Sequence, residues 1–242
     1  MEIFTQEGLA MLSRWGHYLA GVTWIGLLYY FNFVQTPSFA GFEAGPRTEA
    51  VRKLVPRALW WFRYGALLTL LTGLSILAFQ EQLTDGDYYK TPQGISIATG
   101  ILLAVIMFAN VWMVIWPNQK IFIENAERTA AGQEALPNAA AAARKAACAS
   151  RTNTLFSIPM LFFMGATSHF AALFLEGGGP DGGSRLTYWL VTLVLIVVFE
   201  AIALTAPAVG APQAWHIDNH RNTIIAGFVL ALVLILLFEI LF

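Results

Sequence analysis

Two sets of side chains carry chemical potential in this 242-residue chain. The first is a pair of histidines, His17 and His169, each embedded in a long apolar run. Neutral imidazole is a good iron ligand, and two imidazoles on different helices at matching depth suit the axial positions of a b-type haem. His17 lies 19 residues before Thr36, about 28 Å along a helix, and His169 lies 17 residues after Thr152, about 26 Å, so both approach the same membrane surface. Ala20 and Gly21 beside His17, with Gly165 and Ala166 beside His169, leave room for a flat macrocycle, and Ser168 or Thr167 could donate to an imidazole. Small residues also let membrane helices pack closely, and an interfacial histidine can simply bond to headgroups.

The second set gathers near the opposite surface. It comprises Asn32 and Gln35, Asn110, then Asn118, Gln119 and Lys120, Asn153, and Glu200 inside the run VVFEAIAL. A carboxyl there must be neutral, paired or at work. Such a group suits a polar heterocycle or a quinone headgroup, with Glu200 or a histidine relaying protons. Amides also satisfy backbone groups freed at Pro117 and Pro159. His216, Asp218 and His220 follow in WHIDNHRN, where histidines at i and i+4 give a weak metal-site signal.

The elements that position these residues are membrane spans. Composition is 57% hydrophobic and 12% charged, against roughly a quarter charged in soluble domains. Apolar runs of about 20 residues, the length that crosses a bilayer as helix, recur from Leu12 to Thr36, Trp60 to Phe79, Gly94 to Trp116, Thr152 to Leu175, Leu186 to Pro207 and Thr223 to Phe242. The reading is an all-α integral membrane protein: one transmembrane helical domain over 1–242, a bundle of about six helices. The piece 117–151 forms a cytoplasmic helical loop, either a short hairpin or an extension of the neighbouring spans. Continuous Leu/Val/Ile runs favour helix over barrel strands.

Basic residues set the orientation. Arg47, Arg52, Lys53, Arg57, Arg63, Lys120, Arg128, Arg144, Lys145, Arg151 and Arg221 fall on one side, against Arg14, Lys90 and Arg185 on the other. The first side is read as cytoplasmic and both termini as outside. Trp15, Trp60, Trp61, Trp116, Trp189 and Trp215 lie near span ends, as an interfacial aromatic belt does. The net charge of −1 gives no basic footprint for nucleic acid. The single cysteine, Cys148, excludes an internal disulfide, and the lack of CxxCH excludes covalent c-type haem. The N-terminus has no basic n-region or cleavage site, so the first apolar segment is read as retained.

The segments RWGHYLAGVTWIGLLYYFNFVQ (14–35), VPRALWWFRYGALLTLLTG (55–73), IWPNQKIF (115–122) and SRTNTLFSIPMLFFMGATSHF (150–170) resemble the membrane domain of bacterial membrane-bound urate hydroxylases. In that family an integral membrane domain precedes a C-terminal cytochrome c. The resemblance implies a redox protein of the bacterial inner (plasma) membrane, multi-pass, carrying haem b. It implies an oxidoreductase that passes electrons from a cytoplasmic-side small-molecule substrate or quinol to a cytochrome c. The chain has no CxxCH, so that cytochrome, or the respiratory complex subunits in its place, is expected as a separate protein. It also lacks histidines in PRALWWFR, where longer members carry them, which puts urate specificity in question. The expected sites are His17 and His169 as haem-iron ligands, Gly21 and Gly165 as cofactor contacts, and Glu200, Asn118, Gln119, Lys120 and Asn153 as the catalytic set. The rival readings are a non-catalytic haem-carrying or structural subunit of a respiratory complex, and a transporter. The transporter reading is weakened by the absence of visible inverted repeats.

Overall fold

The computed structural model describes residues 2–170 and 181–242, and among these every regular element is helical. Helix α1 spans Gln6–Tyr29, capped by the Thr5 hydroxyl on Gly8 N–H, and runs through a π turn at Tyr30–Gln35 into α2, Thr36–Ala40. Helix α3, Ala44–Lys53, leads through Leu54 into α4, Val55–Phe79. Helix α5, Pro92–Ala109, starts at a Thr91 cap and passes through a second π turn, Asn110–Ile115, into α6, Trp116–Ala130. The 31-residue α7 spans Ala139–His169. Helix α8, Gly182–Thr205, begins at an Asp181 cap and ends at Ala206 in the left-handed region, φ 45°. The four-residue α9, Trp215–Asp218, precedes α10, His220–Leu241.

Both π turns end against proline. The N–H of Thr36 reaches back five residues to Phe31 and that of Trp116 to Val111, while Pro37 and Pro117 offer no N–H to close the next turn. Widening by one residue keeps each helix continuous across its proline. The stretch 117–151 resolves the two alternatives left by its sequence: α6 and α7 extend the neighbouring helices well past the apolar runs. They meet at a turn where the Leu136 N–H donates to the Asn125 side chain.

Among the described residues, four helices are long and apolar enough to cross a membrane: Ala44–Phe79, Pro92–Ala130, Gly182–Thr205 and His220–Leu241. The helices that bear His17 and His169, Gln6–Tyr29 and Ala139–His169, are not among these four. The stretch from 171 to 175, expected to close the fourth span, lies outside the described residues.

Helix α7 is the axis of the bundle. It packs against α1, α5, α6, α8, α9 and α10, whereas α1 spends most of its surface on α4. Leu155, Phe156, Met160 and Phe163 of α7 join Trp24, Leu28, Phe62, Leu103 and Leu234 in one apolar core. The approach of α10 is close: a Cβ at Gly227 would lie 2.5 Å from Ile158 Cδ1 and 2.9 Å from the Leu155 carbonyl. Glycine is the residue that lets these backbones meet.

Candidate functional site

One turn of α7, Ser150 to Asn153, sends four polar side chains toward different neighbours. Asn32, in the first π turn, donates to Ser150 Oγ at 2.8 Å and to its own Leu28 carbonyl at 2.8 Å. Asn110, which opens the second π turn, spends both amide hydrogens across helices: one on Asn153 Oδ1 at 2.9 Å, the other on Glu200 Oε2 at 3.0 Å. Asn153 in turn donates to the Met107 carbonyl at 2.9 Å. Asn32, Asn110 and Asn153 are buried and Glu200 is half-buried. The glutamate that interrupts α8 is therefore anchored by a two-amide relay to the central helix, with its second oxygen free of that relay.

The other two members of the turn are unpaired. Thr152 Oγ1 and Arg151 Nη1 are buried without a hydrogen-bond partner, and so is Nε2 of His216. His216 is 1% exposed, edge-on to Phe199 with ring centroids 5.1 Å apart, and Phe199 precedes Glu200. Burial pushes the His216 imidazole below its ordinary value, with the Asp218 carboxylate opposing. Asp218 itself faces desolvation, but the Gly210 N–H and Arg144 outweigh it and hold the carboxyl below its usual range. Arg144 donates to Asp218 at 2.6 Å and to the Pro207 carbonyl at 2.9 Å. Cys148, fully buried against Ala214 and Ile217, lies beneath this pair.

Of the amide-end residues singled out from sequence, Asn110, Asn153 and Glu200 come together. Asn118 bonds back to its own helix at the Val114 carbonyl, and Gln119 makes no recorded bond to the relay. Lys120 is directed to the face of Trp116, 5.6 Å from its ring centre. Gln35 Oε1 is buried without a partner. The i, i+4 reading of HIDNH fails: Asn219 is extended, φ −130° and ψ 129°, so His216 belongs to a helix that ends at Asp218 and an exposed His220 opens the next. Among the described residues no three His, Cys, Asp or Glu side chains cluster as a metal site. Arg151 and Thr152 escaped the sequence reading because one was counted as a topology charge and the other as a span boundary.

At the far end, His17 is half-buried and His169 exposed. Thr72 spends its hydroxyl hydrogen on the Leu68 carbonyl at 2.6 Å, so at 3.2 Å it accepts from His17 Nδ1. His169 Nδ1 donates to the Gly165 carbonyl at 3.0 Å. The second partners are thus Thr72 and Gly165, in place of Ser168 and Thr167; Thr167 is engaged with Ser96 and the Phe163 carbonyl. In this tautomer each Nε2 keeps its lone pair, the form that binds iron. A methyl built at Gly21 or Gly165 would meet nothing within 4 Å, so space lies beside both helices. Each imidazole offers a donor of the kind that binds iron, and the His17 ring rests on α4, its Cε1 3.2 Å from where a Cβ at Gly73 would lie. No hydrogen bond or ring contact among the described residues joins the two imidazoles.

The sequence model of the urate oxidase N-terminal family matches residues 88–236, more than half of the chain. The match takes in Asn110, Asn153, His169, Glu200 and His216 and extends through the C-terminal third. His17 and the first two segments that carry the urate hydroxylase resemblance lie before it. No curated protein and no solved structure matches the chain.

Proposed function

The chain belongs to the urate oxidase N-terminal family, and we propose that it is a haem-b-containing membrane oxidoreductase of the urate hydroxylase type. The observation that carries this reading is the Glu200–Asn110–Asn153 relay, which lies wholly within the family match and holds an acid–base group inside an apolar bundle. A reduced heterocycle or quinol enters from the cytoplasmic end, past Asn118 and Gln119. Glu200 accepts the proton that its oxidation releases, and Asn110 holds the resulting carboxylate in place. His17 and His169 would hold the haem through Nε2, with Gly21 and Gly165 giving it room. When bound, the group supplies a one-electron carrier. The electrons leave at the opposite surface to a separate cytochrome c or respiratory partner.

The topology that goes with this function is six spans in the bacterial inner membrane, a single domain over 1–242, both termini outside and 117–151 in the cytoplasm. The basic bias supports it. Cys148 is too buried to report on sidedness. A cysteine at the exposed turn residue Gln133, in a Cys148→Ala background, should react in intact cells only with membrane-permeant reagents; impermeant labelling inverts the bundle.

A reduced-minus-oxidised spectrum of the detergent-purified chain, followed by urate addition to the oxidised protein, tests the function. Low-spin haem b bands that grow with urate support the enzyme. Haem bands that no urate or quinol reduces identify a haem-carrying subunit. That second reading draws on the lipid-facing stripe of α8, where Leu190, Val194 and Val197 are exposed and available to a partner helix. Absence of haem returns the chain to the transporter reading.

A further inference from the structure

Arg63 lies about two turns inside α4 in a setting that the redox reading leaves unused. Its guanidinium carbon stands 3.4 Å above the ring centre of Trp116, 5.4 Å from that of Trp112 and 5.7 Å from that of Tyr64. Tyr64 also meets Trp112 edge-on, with centroids 5.8 Å apart, and stacks obliquely on Trp60 at 4.7 Å. Lys120 approaches the same Trp116 ring at 5.6 Å. One indole therefore serves two cations, and neither cation makes an ion pair among the described residues. Of the carboxylates on neighbouring helix turns, Glu49 of α3 is already committed to Arg52 and Lys53 at 2.7 and 2.6 Å, and the exposed Glu124, one turn beyond Lys120 on α6, makes no ion pair with it. Arg63 spends only Nε, on its own Leu59 carbonyl at 3.3 Å.

Aromatic faces hold a cation but leave its charge uncompensated. Within the same cage Trp112 Nε1–H is buried without an acceptor. Trp60 and Trp61 are exposed beside it, 46% and 59%, as side chains at the headgroup level are. Two unpaired cations, one orphaned indole donor and a rim of exposed indoles ask for a ligand with several anionic oxygens and an apolar tail.

We propose that Arg63, Lys120 and Trp112 form a headgroup site for an anionic phospholipid, seated on the Trp112–Trp116 platform where α4 meets the second π turn. The phosphate oxygens lie between the guanidinium and the ammonium and accept from Trp112 Nε1. The acyl chains run along the exposed apolar faces of α4 and α5. This site is independent of substrate oxidation and stands whether or not the chain carries haem.

Native mass spectrometry of the full chain, released from detergent with phosphatidylglycerol or phosphatidylcholine, reads it directly. Wild type should retain one phosphatidylglycerol in preference to phosphatidylcholine. Arg63→Gln and Lys120→Gln should each weaken retention about fivefold, and the pair about thirtyfold, as expected for removing charges at a lipid surface. Circular dichroism monitors the fold, and if Arg63→Gln does not fold, the fivefold loss in Lys120→Gln alone decides. Inorganic phosphate at millimolar concentration should not displace the lipid. Equal retention of the two lipids, wild-type retention in the double variant, or displacement by phosphate would each overturn the proposal.

Discussion

The two ends of the bundle treat polar side chains in opposite ways. At the amide end, Ser150 and Asn153 of α7 are tied to α1, α5 and, through Asn110, to Glu200 of α8, closing contacts between helices, while Thr152 Oγ1 and Arg151 Nη1 beside them have no partner. At the histidine end, each imidazole is held through Nδ1 alone, His17 by Thr72 of α4 and His169 by the Gly165 carbonyl of its own helix, with no bond at Nε2 among the described residues. Buried polar groups that satisfy one another specify a packing; those held by one atom with another left open are set up for a ligand. The contrast predicts that changes at the amide end are felt as rate and stability, and changes at the histidine end as loss of cofactor.

The largest expected effect is at the open end. His17→Ala or His169→Ala should abolish the low-spin haem spectrum or convert it to high spin, while His216→Ala and His220→Ala leave it intact. Retention of a wild-type spectrum in both outer variants would erase the distinction between the ends. Thr72→Val sharpens the same point: it frees His17 Nδ1 without removing the ligand, so it should shift the haem potential while preserving the low-spin bands.

Next in size is Glu200→Gln. The amide keeps an acceptor for Asn110 but cannot take a proton, so the variant should fold with wild-type melting and reduce the cofactor about a hundredfold more slowly, the scale of a lost general base. Wild-type reduction kinetics would reassign Glu200 to packing.

The positions of these two predictions show what a sequence can and cannot disclose. The all-helical, membrane-spanning character was legible because an apolar run of bilayer length has one stable backbone solution, while the number of spans was not: six were expected and four helices among the described residues are long and apolar enough to cross. Glu200 and the two histidines stood out because polar atoms in such runs are costly. The partners were not legible. That Asn110 meets both Asn153 and Glu200 depends on how α5, α7 and α8 pack together, which the periodicity of one helix does not contain. HIDNH misled for a related reason, since a single extended residue at Asn219 breaks the helical face that its spacing implies. Arg63 read as a topology charge because its aromatic partners come from another helix.

A stability measurement tests the closed end. Asn153→Leu removes the acceptor for one Asn110 hydrogen and the donor to the Met107 carbonyl. The Met107 carbonyl keeps the Asn110 backbone N–H, but leaving the Asn110 side-chain hydrogen buried and unpaired should cost about 1–3 kcal/mol, read as a lowered melting temperature in detergent. Asn118→Leu, whose bond stays within its own half-exposed helix, is the matched control and should change melting little. Equal effects would mean that the relay contributes no more than a local cap.

The smallest effect is the most diagnostic of His216, the one imidazole at the closed end whose Nε2 lacks a partner. Its folded value lies below the ordinary 6.5 because burial disfavours the charged ring. As pH falls below about 6.5 the unfolded chain takes up a proton before the folded one does, so the stability present above that value is progressively lost down to the folded value. Asp218, also held below its usual range, acts in the same direction but only in stronger acid. His216→Phe preserves the edge contact with Phe199 and removes the titrating ring. Its melting temperature should match or slightly exceed wild type at pH 7.5 and fall less between pH 7.5 and 5.5. An unchanged acid slope would place the titrating group elsewhere and leave His216 as a packed ring. A flattened slope with unaltered cofactor reduction would confine its role to the fold, separating it from Glu200, whose Gln variant should do the reverse.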